Sequence, residues 1–474
     1  MSLSQSLTAA MSGLTAASRG AQTVATNLAN LRTAGFGRRD LLLSSLASGG
    51  VLVGAVLRNS TPLITADRRI ALAESSVADT RLGFRTALEG WLGTPGTEGS
   101  LTTRIGALDS SLLAAAAAPG TEATLAAVLN AAMGLAGTLA SVSAKVQQAR
   151  STADGAIAND VATLNLTLAQ VADLNHSIVK MSALGRDTAA LVDQRQVLVD
   201  QIAAIVPLRE VQRENGQIAL YSAGGATLLD GRPAHFGFAQ AGVVAADSGA
   251  LSDLTMNGRP LSAADGAAMG GGRLSANFAI RDDLGPAAQH QLDAIARDLI
   301  TRMQEADSTL APGAAGLFTD SGAAFDSARE RGLASRIRVN AAVDPAQGGA
   351  LWRLRDGIGA VSPGDSGNGA GLSAWAAALS EPRAAASGGF LPGLRSLSGL
   401  AGDMMSGIAT ARLADDVQAT VAHSRSSALS ELEAASGVDS DREMQMLLLI
   451  ERSYAANAKV IQAVDGMIAN LLEI

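Results

Sequence analysis

The sequence contains no cysteine, which excludes disulfides, thiolate nucleophiles and cysteine-ligated metal sites. Aromatic residues make up only 3% of its 474 residues, although hydrophobic residues make up 47%. The apolar content is therefore mostly Ala, Leu and Val. Such a composition suits long thin helices better than the compact core of an enzyme.

Long apolar runs and an excess of positive charge are absent as well. The formal charge is −8, which gives no general affinity for nucleic acid. No stretch of about 18 apolar residues occurs, so we expect no membrane span. The N-terminus lacks the basic start and apolar run of a secretory signal. We therefore expect a protein that is cytosolic or leaves the cell without a cleaved signal.

Residue patterns typical of catalysis, metal binding or cofactor binding are missing. The four histidines show no ligand spacing, and no His-Glu-x-x-His or phosphate-binding glycine loop occurs. Asp282 and Asp283 are adjacent, but such pairs beside Gly-Pro are common at surfaces. We therefore predict no catalytic residue, no metal site, no cofactor and no small-molecule substrate. The histidines are His176, His235, His290 and His423.

Both ends of the chain carry apolar residues at spacings that alternate between four and three. This spacing is typical of a helix that packs against another helix. We predict that the two terminal helices pair as a coiled coil. The first set is Leu3, Leu7, Ala10, Leu14, Ala17, Ala21, Val24, Leu28 and Leu31, and the second is Ile450, Tyr454, Asn457, Ile461, Val464, Ile468 and Leu471.

The residues that flank these two seams predict additional helical neighbours. Ser4, Ser6, Gly13, Ser18, Gly20 and Asn27 flank the first seam. A dedicated two-stranded coil would favour Glu and Lys there. On the last helix, Val460, Met467 and Ile474 form a second apolar strip. We expect the terminal pair to be poorly ordered in the free monomer and to order by lateral assembly; the plainer alternative is a bundle whose end helices touch.

Between the termini, a helical pattern covers residues 66–206 and follows a short extended hairpin within 40–64. Residues 208–238 then alternate between apolar and polar, with turn signals such as Asn215-Gly216. We expect a small antiparallel β unit that extends to about residue 280. A further helix is expected to begin at Pro286.

These patterns predict a mainly α protein with a smaller β part and an elongated, multi-domain shape. Residues 1–40 plus 437–474 are expected to form the terminal coiled-coil domain. Residues 41–207 plus 281–436 are expected to form a long-helix bundle that carries the hairpin. Residues 208–280 are expected to be an inserted antiparallel β domain, so deletion within it should be tolerated.

Two segments near the ends match a family signature. The segment Ala25-Thr-Asn-Leu-Ala-Asn-Leu-Arg-Thr-Ala-Gly-Phe-Gly-Arg-Arg39 resembles the start of flagellar rod, hook and hook-associated proteins, the axial family. Its matching residues include Asn27, Asn30, Gly35, Phe36 and Arg38. The segment Leu449-Ile-Glu-Arg-Ser-Tyr-Ala-Ala-Asn-Ala-Lys-Val-Ile461, with Asn457 and Lys459, resembles the matching C-terminal end.

The interior resembles one branch of that family, the hook-associated proteins of the first hook–filament junction. The segment that carries this likeness contains Asp193, Gln194 and Arg195. On a helix, Leu191, Val192, Val197, Leu198 and Ile202 would make the core stripe. Asp193 and Arg195 do not share a face, so we expect them to contact neighbouring helices rather than each other.

The resemblance implies a structural subunit, not an enzyme, that self-assembles through its terminal helices after type III export. Its implied location is extracellular, at the hook–filament junction of the bacterial flagellum. Its implied partners are copies of itself, the hook subunit, the second hook–filament junction protein and a flagellar export chaperone. Three alternatives stay open: a rod or hook subunit, a secreted helical adhesin or effector, and an enzyme with its site in the β unit.

Overall fold

The computed structural model describes residues 3–47, 49–261 and 268–472. Ile474, expected in the second apolar strip, lies outside the described residues. Of these described residues, 63% are helical and 10% lie in strands. The mainly α class with a smaller β part is therefore confirmed.

The first half of the chain is helical apart from one hairpin. The strands β1 and β2 pair antiparallel and form the hairpin predicted within 40–64. Their register shifts between Leu41 and Leu43. The elements are α1 (Leu3–Ala29), β1 (Arg39–Ser45), β2 (Val51–Arg58), α2 (Pro62–Leu92), α3 (Leu101–Ala117), α4 (Glu122–Ala183) and α5 (Ala189–Ile205).

The strands that follow form two small antiparallel sheets, in the orders β3-β4-β5-β6 and β7-β8-β9. They are β3 (Leu208–Gln212), β4 (Ile218–Ser222), β5 (Thr227–Asp230), β6 (Arg232–Pro233), β7 (Phe236–Gly237), β8 (Leu254–Met256) and β9 (Arg259–Leu261). The remainder is again mostly helical. It comprises α6 (Gly272–Ala279), α7 (Gly285–Glu305), β10 (Phe318–Asp320), α8 (Leu333–Arg336), β11 (Ile337–Val339), α9 (Trp352–Asp356), α10 (Ala370–Ser380), β12 (Arg383–Ala384), β13 (Leu394–Arg395), α11 (Leu397–Ala435) and α12 (Ser440–Leu472).

The long helix α4 connects two hydrophobic cores. Its 62 residues span roughly 90 Å at about 1.5 Å per residue. Its first half packs with α3, α7, α10 and the start of α11. Its second half packs with α5, α6 and the strands β3–β9. The helix therefore acts as the spine of the molecule.

The expectation of a β unit that extends to about residue 280 was wrong. The strands end at Leu261, and Gly272–Ala279 is helical. A wider π turn over Ile280–Leu284 joins this helix to α7. The helix expected to begin at Pro286 therefore continues an existing one. The proline fits because its missing N–H falls where the wider turn gives way to α7.

The strands share one core with the helices beside them. Leu220, Leu229 and Phe236 are fully buried among α4 and α5 residues such as Leu164 and Val199. The β segment thus covers an apolar helical face rather than standing apart from the bundle.

By length and mean hydropathy alone, α4 could cross a membrane, since its most apolar window averages 1.7. Within that window, 44% of the residues are buried inside the fold. Buried residues recur along its whole length, from Leu125 to Ile178. These features are those of a helix that packs in the core of a bundle.

Candidate assembly interface

The helices α1 and α12 pack against each other antiparallel, in a fixed register. Gly13 lies against Asn457, Gly20 against Ile450, and Asn27 against Glu443. Each step of seven residues forward along α1 corresponds to a step of seven residues backward along α12. One side of each helix therefore faces the other over four helical turns. The predicted pairing of the terminal helices is therefore present.

Small residues form the centre of this contact. Its buried α1 residues are Ala10, Ala16, Ala17, Val24 and Asn27. A Cβ added to Gly13 would stand 2.6 Å from Nδ2 of Asn457, so a larger residue there would require the Asn457 side chain to move. Glycine at this position leaves room for the Asn457 side chain between the two helices.

The predicted seam lies within the contact. The flanking residues Gly13, Gly20 and Asn27, expected to face further helices, face α12 as well. Among the seam residues, Ala10, Ala17, Val24 and Val464 are buried, whereas Leu31, Tyr454, Ile468 and Leu471 are exposed. The half-buried seam residues are Leu3, Leu7, Leu14, Ala21, Leu28, Ile450, Asn457 and Ile461.

A second face of α12 is apolar and uncovered. Leu449, Val460 and Met467 are 57%, 43% and 55% exposed. They lie eleven and seven residues apart, which places them on one side of a helix. Only Glu443 and Val464 are buried among the 33 residues of α12. Neither hydrophobic core includes a described residue of α1 or α12.

The hairpin adds a further apolar surface beside α1. The backbone N–H of Val51 donates to Oγ of Ser12 at 3.0 Å, which holds the hairpin end against the helix. Five leucines of the hairpin are at least 39% exposed. They are Leu42, Leu43, Leu46, Leu52 and Leu57. Several large apolar side chains of this short segment are therefore left open to solvent.

A buried carboxylate ties the terminal pair to the hairpin. Glu443 is 1% exposed. Its Oε1 accepts from Nε of Arg38 at 2.7 Å, and its Oε2 accepts from Nδ2 of Asn27 at 3.1 Å. Oδ1 of Asn27 in turn accepts from the backbone N–H of Arg39 at 2.9 Å. Sequence reasoning missed Glu443, although it precedes Ile450 by seven residues and so continues that face of the helix.

Asp193 anchors the same hairpin to α5. Its carboxylate accepts from the Gly37 N–H at 3.0 Å, from Nη2 of Arg39 at 3.1 Å and from Nε of Arg58 at 2.8 Å. Gly35 lies beside it with φ of 75°, and a Cβ there would be 2.9 Å from the Asp193 carbonyl oxygen. Glycine is therefore required at that turn by both its backbone angle and the space.

Asp193 and Arg195 do not pair with each other, as expected. Arg195 is 2% exposed and donates from Nη1 to Oδ1 of Asn175 and to the Gly216 carbonyl. The expected core stripe is confirmed at Ile202, which is fully buried, and Leu198 packs against the same core. It was wrong elsewhere, because the polar pair is buried while the other predicted apolar members are only half-buried. Those members are Leu191, Val192 and Val197.

The other motif residues play local parts. Asn30 donates to the Thr26 carbonyl and accepts from the Thr33 hydroxyl, which closes the end of α1. The Arg39 guanidinium lies 5.0 Å from the centre of the Phe36 ring, within the range of a cation–π contact. Gln194 and Lys459 are exposed.

The histidines lie apart in the structure as they do in the sequence. His423 pairs with Asp79 at 2.7 Å, and His290 accepts from the Gly388 N–H. Across residues 3–47, 49–261 and 268–472, no three His, Asp or Glu side chains form a group that could hold a metal ion.

Comparisons with known proteins match two flagellar family models at two places in the chain. Residues 86–311 match the model of the flagellar hook-associated protein FlgK helical domain. Residues 432–474 match the model of the flagellar basal body rod FlgEFG protein C-terminal region. The second match covers α12 and the junction that leads into it.

Individual relatives give the same result. Flagellar hook-associated protein 1 of Salmonella typhimurium is 29% identical over 236 residues, which cover 48% of this chain and 42% of that protein. The Escherichia coli protein of the same name is 26% identical over 236 residues, 48% of this chain and 43% of its own. The matched part thus spans less than half the length of these relatives. The resemblance to flagellar hook-associated protein 1 is confirmed.

A solved structure was also found. It is the flagellar hook junction protein FlgK from Burkholderia pseudomallei, with a TM-score of 0.45 and 19% sequence identity over 54% of this chain and 47% of that one.

Proposed function

We propose that this chain is a structural subunit of the bacterial flagellum that forms the first junction layer between hook and filament. The two family matches support this role, because they fall on the helical middle and on the C-terminal helix. The relatives are named flagellar hook-associated protein 1, which is consistent with a role at the hook. The chain has no enzymatic activity in this proposal.

The observation that carries the proposal is the uncovered apolar strip of α12. A helix pair that lies outside both cores and exposes Leu449, Val460 and Met467 has apolar surface that one copy leaves open. Neighbouring copies that cover this strip would remove it from water. We assign the seam residues of both terminal helices to assembly on the same basis.

Assembly then proceeds by heterologous contacts that repeat around an axis. The strip of one copy packs against a terminal helix or hairpin of the next. The hook subunit would lie below this layer and the second junction protein above it. A cytosolic export chaperone would bind α12 before export and shield the same strip.

The proposed location is outside the cell, at the hook–filament junction, after type III export without a cleaved signal. Two features favour passage of an unfolded chain through a narrow channel. The sequence has no cysteine that could form a disulfide, and the terminal helices contribute no described residue to a stable core.

Electron microscopy and motility of a deletion strain test the proposal. Loss of the gene should leave hooks that lack filaments. A strain that also lacks hooks would indicate a rod or hook subunit instead, and normal filaments would contradict a role in the flagellum.

Complementation with single substitutions tests the strip. We expect Val460→Asp to restore hooks but not filaments, since it places a charge on the apolar strip. Val361→Asp is the matched control, because Val361 is 95% exposed and lies in the loop between α9 and α10, outside both terminal helices. Leu28→Asp and Ile461→Asp should also abolish assembly. Normal filaments in the Val460→Asp strain would overturn the assignment of the strip.

A further inference from the structure

A cavity of about 900 Å³ lies where the terminal pair meets the rest of the chain. The end of α1, the base of the hairpin, α2, α5, the β3–β4 turn and the link between α11 and α12 surround it. Five arginine and three acidic side chains line it. Most of these charges are already paired across its walls.

Three of the arginines that line the cavity form ion pairs with carboxylates. Arg58 binds Asp193 at 2.8 Å. Arg69 binds Asp200 at 2.6 Å and Glu210 at 2.8 Å. Arg68 binds Asp200 and Glu433 in the same way. Each of these arginines therefore faces at least one carboxylate.

Arg195 is the exception among the lining arginines. It is 2% exposed, and it has no carboxylate partner among the residues that the structure describes. Both of its hydrogen bonds leave from Nη1, at 2.8 and 2.7 Å, and its Nε is enclosed without an acceptor. A buried charge without a counter-ion is unfavourable. Burial lowers the pKa of Arg195, Arg58 and Arg69 lower it further, and Glu210 acts in the opposite direction.

Nη2 forms the accessible edge of the Arg195 guanidinium. Arg195 lines the cavity, and Nη2 is not among the enclosed atoms that lack a partner. The N–H groups of Nη2 can donate a charge-assisted hydrogen bond to a carboxylate. A carboxylate seated on Nη2 from the cavity would place its negative charge beside the buried guanidinium.

We propose that this cavity is a carboxylate-binding site in which Arg195 supplies the counter-charge. The carboxylate comes either from a small organic acid or from an Asp or Glu side chain of a neighbouring copy. Both sources present the same planar group to the same edge. The proposal does not depend on the flagellar role, because the site is defined within one copy.

Titration of the full chain with acetate and with succinate, against sodium chloride at equal ionic strength, tests the first source. We expect saturable one-to-one binding that weakens about tenfold or more in Arg195→Met. Arg150→Met is the matched control, because Arg150 is 6% exposed and has no acidic partner, yet donates to carbonyl oxygens away from the cavity. Ser182→Trp, at an exposed lining residue, should block binding while leaving Arg195 in place.

Sedimentation of the same four proteins tests the second source. If neither acid binds, we expect Arg195→Met and Ser182→Trp to weaken self-association about tenfold, with Arg150→Met unchanged. Acid binding that survives Arg195→Met would overturn the proposal. So would the absence of both acid binding and an effect on self-association. Failure of the flagellar role would show in the deletion strain and would leave the acid titration unaffected.

Discussion

Replacing Glu443 with alanine tests whether the polar junction anchors the terminal pair to the rest of the chain. The carboxylate accepts hydrogen bonds from Arg38 and Asn27 in a nearly water-free environment. Its removal leaves the enclosed Arg38 guanidinium with Asp40, which is 41% exposed, as its acidic partner. Breaking one side of a buried ion pair costs roughly 3–5 kcal/mol.

We expect this cost to appear as loosening of α1 and α12 rather than as unfolding of the whole chain. Neither helix contributes a described residue to the two cores. Hydrogen exchange measured by mass spectrometry resolves the two outcomes, because local opening has its own free energy. At about 1.4 kcal/mol per factor of ten, amides of residues 3–29 and 440–472 should exchange roughly a hundred to several thousand times faster.

The control is Glu74→Ala, which removes an ion pair of the same chemistry at the surface. Glu74 and Arg425 join α2 to α11 at 2.8 Å, with side chains 48% and 49% exposed. Such a pair contributes about 1 kcal/mol or less. Equal changes in the two variants would refute the reasoning about the junction. Terminal helices that are unprotected even in the unaltered protein would also refute it, and would favour ordering by assembly alone.

Three further predictions concern the register, the pH dependence and the β segment. Gly13→Cys combined with Asn457→Cys should form a disulfide on oxidation. Gly13→Cys with Val464→Cys should not, because Val464 lies two helical turns from Asn457. A disulfide in both double variants would contradict the register. Burial raises the pKa of Asp293 despite its hydrogen bonds from Gly332 and Ala334, so its ionised form opposes folding. The difference in melting temperature between Asp293→Asn and the unaltered chain should therefore shift in favour of the variant as pH rises from the ordinary aspartate value through that raised pKa. A difference that stays constant over this range would contradict this. Deletion of residues 210–265 should lower the melting temperature rather than be tolerated, since Leu164 and Val199 would lose their cover; circular dichroism on the purified variant checks this.

Hydrophobic periodicity predicted most of the helices, because a long amphipathic segment repeats its apolar residues at a recognisable helical spacing. It failed between residues 240 and 290, where glycine and short apolar runs carry no dominant period. There the helix α6 begins at Gly272, with φ of 82°, and nothing in the local sequence favours a helix over another turn. The core that β3–β9 share with α4 was also not predicted. The spacing of apolar residues within a segment does not show which distant segment it contacts.

The terminal contact was predicted in outline but not in its full width. The predicted seam includes Ala10, Ala17 and Val24, which are buried in the structure. The structure also places Gly13 and Gly20 against α12, because the smallest residues allow the closest approach of two helices. Asn27 and Glu443 are polar, so a search for apolar periodicity passes over them although they lie on the same faces.

The same small residues explain why the terminal pair can leave strong apolar groups uncovered. Alanine and glycine at the contact bury little area, so the pair relies on the Glu443 junction for its orientation more than on hydrophobic burial. Leu449, Val460 and Met467 then remain uncovered beside the contact face of α12. They are already about half buried, so at about 1.5–3 kcal/mol for each large side chain fully buried, their cover by a neighbour would stabilise the pair by roughly 2–5 kcal/mol, an upper value. That gain is comparable with the loss expected for Glu443→Ala, so a neighbouring copy that covers them would offset much of that loss. Assembled protein should therefore tolerate Glu443→Ala better than the free chain does. If the substitution speeds hydrogen exchange in α1 and α12 equally in the assembled and the free protein, neighbouring copies do not stabilise the pair in this way.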